Sequence, residues 1–214
     1  MSEATMDPSE VAALEQAARE FDRSRMKQIG SYHFAMVFGA LTLWGAAQTW
    51  AQVTGSSLAQ IVAVANAFVA AYVISSTVHE WGHFTGARMS GAVSPVLEEP
   101  RRHFFMFDFA MDQNDLRQFT WMSWGGILAP WVAVLLALIF VPLGTLSGAV
   151  LVSALIAKSV AAGVFEVPIV NAAGASGDPG GELGKATMGG ALPRAARKGK
   201  IVGLVVFVLI WLIA

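Results

Sequence analysis

Apolar residues in this chain gather into long unbroken runs, separated by short polar connections. The runs cover about residues 32–53, 58–82, 119–141, 147–170 and 201–214. The first four are each long enough to cross a ~30 Å hydrocarbon core as a helix, which takes about 20 residues. The fifth has 14 residues. It is expected as a further helix that spans a thinned region or lies partly inserted. The pattern predicts an all-α polytopic membrane protein with four to five transmembrane helices.

Two stretches depart from this pattern. Residues 1–30 are highly charged, so no cleavable signal peptide is expected. Asp7 is a candidate N-cap, Pro8 suits the first helical position, and Glu10 completes a capping box. Val11, Leu14, Ala18 and Phe21 fall on one narrow apolar face. An amphipathic cytoplasmic helix is therefore expected over 1–30, with a membrane domain over 31–214. Between the second and third runs, "HFFMFDFAMD" alternates. Phe105, Phe107, Phe109 and Met111 share one face, with Asp108 and Asp112 on the other. That is a strand period. It predicts a short β-hairpin or edge strand between the second and third helices. Such an element serves either as a lip packed on the helices or as an edge that pairs with an extended peptide.

Composition agrees with the bilayer reading. The chain is 55% hydrophobic and 14% charged over 214 residues, against roughly 25% charged in a soluble domain. A formal charge of −1 gives no argument for nucleic acid as a partner. No cysteine is present, so disulfides and thiolate ligands are excluded. Lys and Arg alternate cleanly between connections. Arg19, Arg23, Arg25 and Lys27 precede the first helix; Arg88, Arg101, Arg102 and Arg117 follow the second; Lys185, Arg194, Arg197, Lys198 and Lys200 precede the fifth. The other two connections carry none. The positive-inside rule then expects a cytoplasmic N-terminus, most simply in a bacterial inner membrane.

Candidate chemistry concentrates in "TVHEWGHFTGARMSG", at the cytoplasmic end of the second helix. His79 and His83 are four apart and share a helix face, so both can reach one metal ion. Glu80 is placed to act on a bound water as general base rather than as a ligand. Zinc takes imidazole nitrogen and carboxylate oxygen, and a catalytic site keeps one position open for water. Polar groups at such a depth are costly unless they are put to use.

"HEWGHFTGARMSG" resembles the metal helix of the site-2 protease family of intramembrane zinc metalloproteases. That helix reads H-E, an aromatic or aliphatic residue, G-H, a large apolar residue, then A-R and a nearby Gly. The matching positions are His79, Glu80, Trp81, Gly82, His83, Phe84, Ala87, Arg88 and Gly91. "GGILAP", residues 125–130, is similar to the family's G-P-L-A-N stretch. Ile127 stands at the usual Pro position there and Pro130 at the usual Asn position. The likeness covers roughly 58–183. It implies a three-helix core, Zn2+ as cofactor, and cleavage of a transmembrane segment near the cytoplasmic face.

The third ligand has alternatives. The resemblance brings forward Asp178, in "GDPGG", as a divergent form of the family's D-G segment. Counting depth along the helices brings forward Glu166, which is 19 residues beyond Ser147, while His79 is 21 beyond Leu58. A site with no protein third ligand is the remaining case. Lys158 is expected to face the bundle interior or to snorkel. His33 is expected at the membrane interface and His103 as a solvated surface residue. With only four histidines, a haem or di-iron site is poorly supplied. A second function class fits the same residues: an inactive site-2-protease-like subunit or assembly factor of a membrane complex. The partners are then the lipid bilayer and a transmembrane protein, as substrate or as neighbouring subunit.

Overall fold

The structure, a computed structural model, describes residues 7–101 and 105–213. Residues 1–6, Arg102, His103, Phe104 and Ala214 lie outside these, as do the side chains of Pro8, Val11, Glu15, Glu98, Glu99, Pro100, Arg101 and Phe105. The described elements, in chain order, are α1 Pro8–Thr54, α2 Ser57–Met89, β1 Val96–Arg101, β2 Phe105–Phe107, α3 Leu116–Phe140, α4 Leu146–Ser176, α5 Pro179–Met188 and α6 Ala191–Ile213. α2, α3 and α4 are each long and apolar enough to cross a membrane.

The sequence of α2 shows how these helices hold together. It buries Ala59, Ala63, Ala67, Ala70 and Ala71, and turns Leu58, Ile61, Phe68 and Val69 outward. Small side chains inside and large ones outside suit helices that associate in lipid, where close backbone approach supplies the attraction. α4 runs beside α2 in the same direction. Its Val150, Leu151, Val152 and Leu155 join Ala67, Ala70 and Ala71 of α2, Val134 and Ala137 of α3 and Ala40 of α1 in one cluster. α6 closes on the far side of α4. Gly199 and Gly203 lie so close to Ala157 that a Cβ at either position would collide with it.

Two helices are longer than the hydropathy pattern suggests. α1 runs unbroken for 47 residues, about 70 Å at ~1.5 Å per residue, straight through residue 30. Gly30 alone costs a helix only about 1 kcal/mol relative to alanine, and no proline follows Pro8 before Pro95. Asp7 caps α1 by accepting the Ser9 N–H at 3.0 Å. α6 has 23 residues and begins in the basic stretch "ALPRAARKGK", whose Ala, Arg and Lys are good helix formers.

β1 and β2 form an antiparallel hairpin with an irregular register. The expected one-sided alternation is not what is buried. Met106 and Phe107 are consecutive, so they point to opposite faces, yet both are buried. The reason is that helices cover both sides. Ile29 and Met26 of α1, Phe84 and Ala87 of α2, and Met122 of α3 share one cluster with the strands. Arg88 fastens this end of the bundle: it donates to Asp22 Oδ1 and to the Ser94 carbonyl, both at 2.8 Å. Its guanidinium lies 4.8 Å from the centre of the Phe84 ring. Arg25 donates to the Leu97 carbonyl at 3.0 Å.

Candidate metal centre

α2 carries His79 and His83 one turn apart, and their rings meet edge to face, 4.4 Å between centroids. Glu166, two thirds of the way along α4, faces both. His79 Nε2 is 3.0 Å from Glu166 Oε1, and His83 Nε2 is 3.4 Å from it. The two Nε2 atoms are 3.1 Å apart. One ligand atom from each of the three residues lies within 4.8 Å of the others.

The far side of each imidazole fixes its tautomer. His79 Nδ1 is 2.9 Å from the carbonyl oxygen of Gly126, and His83 Nδ1 is 3.0 Å from that of Met122. A carbonyl only accepts, so each Nδ1 carries the proton and donates. In the neutral rings each Nε2 is then a bare lone pair. Two imidazole lone pairs and a carboxylate oxygen thus converge with no donor among them. Glu166 Oε2 is also buried without a hydrogen-bond partner. Only protons or a metal cation can hold such a set together, and two imidazoles with one carboxylate are donors that a metal ion such as zinc accepts, with second hydrogen bonds orienting each histidine.

α3 supplies those hydrogen bonds because it lies against α2 backbone to backbone. A Cβ on Gly82 would strike the Gly125 carbonyl, and one on Gly86 the Trp121 carbonyl. A Cβ on Gly126 would overlap the His83 ring itself. Pro130 contributes through what it lacks. In a helix the carbonyl of residue 126 is paired with the N–H of residue 130, and a proline there has none. The Gly126 carbonyl is left free for His79. From the sequence, Pro130 reads as a kink and Gly125 and Gly126 as a close helix contact; a Gly placed four before a Pro is the signal that identifies a free carbonyl.

The other expected residues fall as follows. Glu80 is buried on α2, at 9% exposure. It lies about 60° around the helix from His83, given ~100° per residue. Asp178 stands apart from the cluster. It is the N-cap of α5, exposed, with Oδ1 accepting the Gly181 N–H at 2.9 Å. Ten residues of α4, about 15 Å of rise, separate Glu166 from the helix end at Ser176. His33 is buried at the α1–α2 contact, and its Nδ1 accepts the Trp81 indole N–H at 3.0 Å. The site is not sealed, because the side chains of His79, His83 and Glu166 keep 20%, 15% and 13% of their accessibility. Comparison with protein-family models, with curated proteins and with solved structures finds no match.

Proposed function

We propose that this chain is a zinc-dependent intramembrane endopeptidase that cleaves a transmembrane segment of a membrane-protein substrate near the cytoplasmic face. The observation that carries the reading is the convergence of His79 Nε2, His83 Nε2 and Glu166 Oε1, with both tautomers set by α3 carbonyls. His79, His83 and Glu166 are the ligands in this reading. Zinc held by these three residues would supply Lewis acidity towards a peptide carbonyl and would make a bound water nucleophilic near neutral pH. Glu80 takes the proton that the attacking water loses as the new C–O bond forms. It later gives that proton to the leaving amine as the C–N bond breaks. The substrate helix must unwind locally, since its carbonyls are otherwise paired within the helix. α1 beyond residue 31 and α6 add a fourth and a fifth crossing to α2, α3 and α4. The distribution of Lys and Arg supports a cytoplasmic N-terminus in a bacterial inner membrane.

The test uses zinc-loaded protein in vesicles with a set of single-span peptides, analysed by mass spectrometry. Wild type is expected to yield fragments that Glu80→Gln does not yield and that a chelator suppresses. No fragment from any peptide, with zinc bound, would shift the reading to a non-catalytic subunit.

A further inference from the structure

Tyr72 precedes His79 by seven residues in α2, and Lys158 precedes Glu166 by eight in α4. The helices run parallel, so the two pairs form rungs roughly 11 Å apart at ~1.5 Å per residue. The lower rung is the metal centre. On the upper rung, Lys158 Nζ stands 4.7 Å from the centre of the Tyr72 ring. From the sequence Lys158 is expected to face the bundle interior or to snorkel; in the structure it is exposed on the outer face beside Tyr72. Lys158 and Tyr72 are both exposed, and so are Phe68 and Ile61 on the same side of α2.

An exposed cation on this face is costly in hydrocarbon and calls for a partner. The Tyr72 ring lowers the cost through a cation–π contact. Among the described residues no carboxylate pairs with Lys158. Lipid phosphate is out of reach. Lys158 lies 12 residues into α4 from Leu146, about 18 Å, farther than its four-carbon stem extends. A second copy of the chain cannot supply the counter-charge either. The only acidic residues within α2, α3, α4, α6 and residues 32–53 are Glu80 and Glu166, which belong to the centre.

We propose that Lys158, backed by Tyr72, binds a carboxylate that the substrate helix carries inside the bilayer. The inference rests on the preceding reading for its bilayer placement and substrate class, but not on hydrolysis. The acidic residue belongs about seven residues from the scissile bond, at ~1.5 Å per helical residue, on the side away from the hairpin.

The probe is a single-span leucine–alanine peptide with one mid-helix Glu, or Gln in its place, in phosphatidylcholine vesicles at pH 8. Energy transfer from the protein's tryptophans to a label on the peptide reads association. The Glu peptide is expected to bind about three- to thirtyfold more tightly than the Gln peptide, the range of interhelical polar contacts in lipid. Lys158→Met is expected to erase that preference and Lys158→Arg to keep it, both with wild-type zinc content. Equal binding of the two peptides to wild type overturns the proposal. So does a preference that survives Lys158→Met. So does one that disappears when phosphatidylglycerol is added, which would assign the cation to lipid headgroups. Association is read without cleavage, so a preference found while zinc-loaded protein hydrolyses none of the single-span peptides sinks the protease reading and leaves this one standing. Hydrolysis without a preference does the reverse.

Discussion

Pro130 and His79 are coupled through a single carbonyl. Pro130 has no N–H to offer Gly126 four residues before it in α3, and the Gly126 oxygen instead accepts His79 Nδ1–H at 2.9 Å. A helix defect in α3 thereby sets the tautomer of a candidate ligand on α2. Pro130 is buried beneath the contact, so its ring also fills space there.

Pro130→Ala should separate stability from metal affinity. Alanine restores the N–H, which then competes for the Gly126 carbonyl. Loss of a hydrogen bond behind a ligating histidine weakens metal binding by about 10- to 100-fold. Helix propensity moves the other way, since proline is about 3 kcal/mol worse than alanine inside a helix. The expectation is an unchanged or raised melting temperature with zinc affinity at least tenfold lower, measured against a competing chelator. Equal affinity would mean that the freed carbonyl does nothing for the site.

Gly126→Ala tests the same contact by steric means. The added methyl would overlap the His83 ring, and overpacking of this kind costs about 1–3 kcal/mol. Either His83 swings away or α3 withdraws from α2, and both take a donor nitrogen out of the candidate centre. Zinc content should fall well below one per chain. Gly39→Ala is the control, because a Cβ at Gly39 meets nothing within 4 Å, and it should bind zinc like wild type.

How much of this was legible in the sequence follows from how local each relationship is. His79 and His83 meet through helix periodicity alone, so four-residue spacing sufficed. Glu166 meets them only through the register of α4 against α2, and counting depth from the helix ends could bring it forward but not single it out. Asp178 was suggested by likeness of pattern, yet a residue just beyond a helix end beside Pro179 is also well suited to capping, and that is what it does. The unbroken course of α1 was hidden because a change from polar to apolar composition does not interrupt backbone hydrogen bonding. The outward turn of Lys158 was hidden because which face of α4 meets α2 is decided by tertiary packing.

Zinc titration of two carboxylate variants separates the candidates for third ligand. Glu166→Gln keeps the shape of the side chain and removes the charge that faces both Nε2 atoms. Its affinity loss should exceed about 100-fold, beyond the range of outer hydrogen-bond partners. Asp178→Ala should keep one zinc per chain and cost about 1 kcal/mol of stability through the lost cap. The opposite result, zinc lost with Asp178→Ala and kept with Glu166→Gln, would mean that α5 folds back onto the centre when metal binds.

Arg88 holds the hairpin end together by joining three elements: Asp22 of α1, the Ser94 carbonyl before β1, and the face of Phe84 on its own helix. Asp22 Oδ1 also accepts the Val96 N–H at 3.3 Å, so one carboxylate oxygen serves both the helix and the strand. Both Arg88 hydrogen bonds leave one terminal nitrogen; a lysine ammonium keeps the charge but has no planar guanidinium to lie on the Phe84 ring while it donates to both. Arg88→Lys should therefore loosen the hairpin selectively. Exposed ion pairs are worth about 0–1 kcal/mol, so a change of that order at one end of the bundle leaves the centre in place. The measurement is hydrogen exchange: the amides of residues 96–99, 101 and 105–107 should exchange several-fold faster. Zinc content and exchange in α4 should match wild type, because no ligand and no α3 carbonyl is touched. If zinc is lost along with hairpin protection, the hairpin end and the metal centre form one cooperative unit, and α1 supports the site through its contact with the strands.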